Sequence, residues 1–149
     1  MGYDQCADIK PKKIDCLDSL QYQGLHLHKH ACVEIVSAAD TMDAADCGKV
    51  FLIDTTAIIT LPAAAAGYGP YTFVNYGEED EDTGISDVLI TISPDGQEVI
   101  QGGGLSAVAT KDIINTLATA KRGDYVKIVY GGSGVWSISE MGGVWAKQT

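Results

Sequence analysis

Three histidines stand at alternate positions in the segment His26-Leu-His-Lys-His30. In an extended chain, side chains two residues apart share a face, so His26, His28 and His30 would present their imidazoles together, with Leu25 and Leu27 on the opposite side. Such a face can bind a metal, or gain charge at about pH 6.5. Successive ligands on one strand face lie about 6–7 Å apart, too widely spaced to close around one ion. The segment is therefore read as a polar strand face packed against a partner. The cysteines at 6, 16, 32 and 47 lack the close C-x-x-C pairing of zinc sites. With no apolar secretion signal at the start of the chain, they are expected to be free thiols. The run Glu78-Glu-Asp-Glu-Asp82 has no D-x-D-x-D-G phase ending in glutamate, so it is read as a solvated loop rather than a calcium loop. Gly102-Gly-Gly104 lacks the G-x-G-x-x-G phase, and Gly48-Lys49 has Asp43 where a phosphate-binding loop needs glycine. Neither G-x-S-x-G nor H-E-x-x-H occurs. General acid–base work would rest on carboxylates alone, with no pair singled out, so no catalytic residue, metal site or cofactor is expected. Trp136 and Trp145 have the surface to stack sugars, but the alternation around Trp136 fits a core or interface aromatic better.

The chain must place these residues with 149 positions, enough for one domain or one domain with an arm. It is 46% hydrophobic and 20% charged, a globular balance. Ten basic against twenty acidic residues give a net charge of −10, which argues against a nucleic-acid partner. No run approaches the ~18 apolar residues of a membrane span. Seventeen glycines among abundant Val, Ile and Thr favour strands and turns.

Residues 1–32 hold all three histidines and three of the four cysteines, without a regular apolar period. From Val33 onward, short strand-like runs alternate with turn residues. They are Val33–Val36, Val50–Ile53, Ile58–Leu61, Tyr71–Tyr76, Val88–Ile92, Tyr125–Tyr130 and Val135–Ser139. Pro62 and Ser93-Pro-Asp-Gly96 end two of them, and Gly131-Gly-Ser-Gly134 reads as a hairpin loop. Within 107–120, Ile113, Ile114, Leu117 and Ala118 keep helical spacing with Thr110 as a possible cap, while Ile113–Thr116 reads equally as a strand. The expected fold is all-β, a compact β-sandwich or β-barrel with an extended N-terminal arm. The division is 1–43 as the arm with its first strand and 44–149 as the β-domain.

The second region resembles a module of tailed-phage structural proteins. The residues that carry the likeness are Asp46-Cys-Gly-Lys-Val-Phe-Leu-Ile-Asp54, Ile59-Thr-Leu-Pro62, Gly69-Pro-Tyr-Thr-Phe-Val-Asn-Tyr-Gly77 and Ile90-Thr-Ile-Ser-Pro-Asp-Gly96. They continue with Val99-Ile-Gln-Gly-Gly103, Ala120-Lys-Arg-Gly-Asp-Tyr-Val-Lys-Ile-Val129, Val135-Trp-Ser-Ile138 and Gly143-Val-Trp-Ala146. In this order they look like capsid decoration (cement) and head- or tail-fibre proteins. The resemblance implies a compact all-β domain, usually trimeric, on the outside of a virion, with no catalytic residues. It also tips Ile113–Thr116 toward strand. The expected function is a capsid decoration protein that clamps neighbouring capsomers of a phage head. Its partners would be the major capsid protein and itself, as a homotrimer, with no nucleic acid and no membrane. Its place would be the outer capsid surface, after assembly in the host cytoplasm. The alternative is a fibre or glycan-binding module using Trp136, Trp145 or the tyrosines. Residues 1–43 fall outside the module. The inference for the arm is strand addition to an exposed capsid-protein edge, with Leu25, His26, Leu27, His28 and His30 as contact residues.

Overall fold

The computed structural model describes residues 32–149, together with the backbone pairing of two short strands near the N-terminus. Those two are β1 (Gln21–Tyr22) and β2 (Leu25–His26), antiparallel with Gln21 opposite His26. The chain divides into two compact units, 1–31 and 32–149.

In the larger unit the chain first winds. β3 (Val33–Val36) enters a seven-stranded sheet and β4 (Asp40–Thr41) a five-stranded one. β5 (Val50–Ile53) lies parallel beside β3, and β6 (Ala57–Thr60) parallel beside β4. β7 (Tyr71–Asn75) and β8 (Ile90–Ser93) repeat the step beside β5 and β6. A 3₁₀ turn at Ala44–Asp46 starts the second pass. It is fixed by a capping box in which the Asp43 carboxylate accepts from the Ala45 amide and the Asp46 carboxylate accepts from the Asp43 amide.

After residue 93 the rule changes. β9 (Val99–Gly102) and β10 (Leu105–Ala109) form a hairpin, as do β12 (Tyr125–Gly132) and β13 (Val135–Gly142). β11 (Ile113–Asn115) and β14 (Ala146–Lys147) extend the five-stranded sheet, antiparallel to their neighbours. The final orders are β10-β9-β13-β12-β7-β5-β3 and β14-β11-β8-β6-β4.

The two sheets pack face to face because alternate residues on each are apolar. Phe51, Ile53, Tyr71, Phe73, Val126, Ile128 and Trp136 point in from one sheet, and Ile59, Ile90, Ile92 and Ile113 from the other. Phe51 stacks on Phe73 at 5.5 Å, and Tyr71 tilts against Trp136 at 5.6 Å. The body is thus an all-β sandwich, and its two sheets keep their edges instead of closing into a barrel.

Three local points are settled by the structure. Of the two readings over 107–120 the strand is the one found: the segment holds the end of β10 and all of β11, and Ile113 and Asn115 are buried on either side of a half-exposed Ile114, a period of two. Thr110 caps no helix; it takes a left-handed φ of 62° and its amide donates to the Glu98 carbonyl. The strands flanking the acidic run belong to different sheets, so that connection crosses the sandwich. β3 and β4, assigned to the arm segment 1–43 by sequence, lie within the compact unit that begins at Cys32.

Candidate functional site

Of the five arm residues singled out by sequence, Leu25 and His26 form β2, opposite Tyr22 and Gln21. Leu27, His28 and His30 lie outside the described residues. A site must therefore be built from the body, which offers one buried polar cluster, one acidic connection and two outer sheet faces.

The buried cluster ties the wound strands to the later ones. Asn75 at the end of β7 is fully buried; its Nδ2 donates to Asn115 Oδ1 at 2.8 Å and to the Val88 carbonyl at 3.0 Å. Its Oδ1 accepts from Ser86 Oγ at 2.6 Å and from the Gly77 amide at 3.1 Å. Asn115 in turn donates to Asp124 Oδ2 at 2.9 Å and to the Val144 carbonyl at 3.0 Å. Gly143 closes over Asp124 with φ +83°, where a Cβ would sit 2.1 Å from the carboxyl carbon, so only glycine fits. Both asparagine amides have partners at their oxygen and nitrogen ends, which makes this a structural junction.

The acidic connection is exposed from Glu78 to Asp82, as its composition implies. It is nevertheless ordered. Asp80 Oδ1 accepts from the Thr83 hydroxyl and amide, both at 2.8 Å, and from the Asp82 amide at 3.1 Å. These bonds, the Thr83 hydroxyl foremost, hold the Asp80 carboxyl below its ordinary range. Arg122 lies over the Tyr76 ring at 3.8 Å and donates to the Gly77 carbonyl, and its own amide donates to Glu79. Among the described residues no group of His, Cys, Asp or Glu is placed to hold a metal.

Both tryptophans are core residues. Trp136 is fully buried and donates to the Pro62 carbonyl; Trp145 is buried and donates to the Gly142 carbonyl. Neither offers a ring to a sugar. Tyr71 is also fully buried, which raises its phenol far above the ordinary range while its hydroxyl donates to the Asp43 carbonyl. Cys47 is a free thiol whose sulfur accepts from the Gly69 amide. Cys32 is disulfide-bonded, which corrects the expectation of free thiols throughout.

The outer faces differ sharply. On the five-stranded sheet the outward row is Ile58, Thr91, Ile114 and Ala146, small or hydroxyl-bearing except for the two isoleucines. On the seven-stranded sheet, register aligns Ile35, Leu52, Val74 and Tyr125 in one outward row, and Val33, Val50, Thr72 and Lys127 in the next. Val33 and Ile35 are 61% and 59% exposed. Three ion pairs lie on or beside this sheet. Lys49 is held by Asp46 at 2.7 Å and Glu34 at 3.1 Å, which raises its pKa, with the Asp46 bond the main cause. Lys127 meets Glu140 at 3.0 Å. Sequence reasoning passed over this surface. Its signal was Val50-Phe-Leu-Ile53, an unbroken apolar run of the kind found where a strand is covered on both faces.

No protein-family model matches the chain, and comparison with curated proteins finds no match.

Proposed function

We propose that the chain is a virion structural protein: a capsid decoration protein that binds the outside of a phage head as a homotrimer and clamps neighbouring capsomers without covalent chemistry. The observation that carries this reading is the outward apolar face of β3, β5 and β7 on an otherwise acidic body, a surface suited to contact rather than turnover. The ordered phage-module motifs agree with it: Val50–Ile53, Tyr71–Asn75, Ile90–Ser93, Tyr125–Gly132 and Val135–Gly142 are all strands of the sandwich. The buried polar residues serve architecture, which fits a mechanical role. Many modest contacts repeated over a shell add through multivalency. The fibre or glycan-binding alternative loses its tryptophans, because both rings are buried.

Co-sedimentation of the full chain with expanded, undecorated heads of the phage that encodes it tests the proposal. Saturable binding that makes the heads more resistant to heat is expected. Heads that pellet without the protein would overturn it.

A further inference from the structure

Two sheets that stay open leave four edge strands, and each edge presents main-chain groups that water or another strand must satisfy. Three of the four are blunted. β4 and β14 are two residues long. β10 breaks register between Leu105 and Val108 and runs into the left-handed Thr110, so its regular ladder is short. β3 is different: all four of its residues hold one unbroken parallel register with β5. The Val50 amide donates to the Cys32 carbonyl and the Asp54 amide to the Val36 carbonyl, which fixes the phase of the ladder. Even-numbered residues therefore bond to β5. The amides and carbonyls of Val33 and Ile35 point the other way, with no partner strand among the described residues.

The edge itself describes what fits. Its unpaired groups recur with the two-residue period of an extended chain. The side chains of Val33 and Ile35 are more than half exposed and can pack against apolar residues at matching positions of an added strand. Between them Glu34 carries a half-exposed carboxylate that accepts from Lys49 at 3.1 Å, so a lysine or arginine opposite it is favoured and an acidic residue opposed. That rule disfavours a second copy of the same edge. The two-fold antiparallel register that uses all four groups sets Val33 opposite Ile35 and Glu34 directly opposite Glu34, where like charges destabilise the pair.

We infer that the β3 edge takes up an extended strand of a different protein by main-chain pairing, with apolar residues beside Val33 and Ile35 and a basic residue beside Glu34. On the decoration reading, on which this partner rests, the strand belongs to the shell protein. It becomes the eighth strand of the seven-stranded sheet and carries the outward apolar rows one strand further. The body then receives a strand, where the sequence led to an arm that gives one.

Co-sedimentation of the full chain with expanded, undecorated heads, titrated to give an affinity, tests this with three variants. Ile35→Pro and Val33→Pro each remove one outward amide and leave the bonds to β5 intact, and proline is tolerated on an edge strand whose N–H faces water. Ile35→Ala keeps the amide and removes most of the side chain. Each proline variant is expected to bind at least about thirtyfold more weakly than wild type, because a carbonyl of the added strand loses its donor, while Ile35→Ala loses less than about tenfold. The three free chains are expected to melt close together. Proline variants that bind as well as Ile35→Ala would overturn the inference and leave the decoration reading standing. Free proline variants that both melt far below Ile35→Ala would also overturn it, since the amides would then be bonded within the protein itself. Weaker self-association of the proline variants in sedimentation equilibrium, with head binding intact, would assign the edge to another copy of the chain and overturn it likewise. Heads that pellet without the wild type defeat the decoration reading and this inference together.

Discussion

Residues 33–93 and residues 99–147 build the same two sheets by different rules. The first stretch alternates between sheets and lays each new strand parallel to the one laid a full turn earlier. The second relies mainly on hairpins and antiparallel neighbours. Their outer surfaces differ accordingly. β12 and β13 show water Lys127, Ser137 and Glu140, the polar-out pattern of antiparallel sheets, while β3 and β5 show valine, isoleucine and leucine. The difference teaches that the outer face of one sheet changes character with the rule that builds it: wound parallel strands stay apolar outward, and hairpin strands turn polar.

The inner side of the wound half should dominate its stability. Phe51→Ala removes a fully buried ring stacked on Phe73 and should cost about 4 kcal/mol. Leu52→Ala, one residue away but facing out, should cost the dissociated chain no more than about 1 kcal/mol. Urea denaturation of both variants at low protein concentration checks this, and equal losses would erase the distinction between the two faces. The junction between the halves comes next. Asn75→Ala removes one hydrogen-bond partner from each of the buried groups Ser86 Oγ, the Gly77 amide, the Val88 carbonyl and Asn115 Oδ1, and should cost about 3 kcal/mol. A loss below about 1 kcal/mol in the same assay would show that the halves do not depend on this network.

Surface terms should be small. Lys127→Met on the hairpin half breaks a half-exposed ion pair with Glu140 and should change stability by less than about 0.5 kcal/mol. The smallest effect is acid-dependent. Asp80 has a folded pKa below its ordinary 3.8, so its contribution is fully present above that value and is lost as pH falls through the folded pKa. Asp80→Asn should therefore flatten the acid limb of the stability curve below about pH 3.8 and leave the neutral region nearly unchanged. Melting curves between pH 2 and 7 measure it; an unchanged acid limb would remove Asp80 as its source.

Much of this fold is legible in local pattern. Alternation marks Tyr71–Asn75 and Tyr125–Tyr130, and Pro62 and the Gly131–Gly134 loop mark ends and reversals where the strands do end and reverse. The order of strands in the sheets is not legible, because β3, β5 and β7 meet across long sequence separations that leave no local signature. Ile113–Asn115 escaped a helical period because Asn115 is drawn inward by the Asn75–Asp124 network, a long-range cause. The candidate surface was half legible. Val50-Phe-Leu-Ile53 announces two covered faces, but only the register with Ile35 and Val74 shows that its outward residues line up in one row with no cover among the described residues.

Hydrogen exchange at two protein concentrations tests the account's central claim most directly. If the outer face of the wound half is an assembly surface, amides of Val33–Val36 and Val50–Ile53 should exchange markedly more slowly in concentrated than in dilute protein, while those of β13 stay constant. Concentration-independent exchange across both stretches would contradict it, leaving the apolar rows exposed to water in every state of the protein.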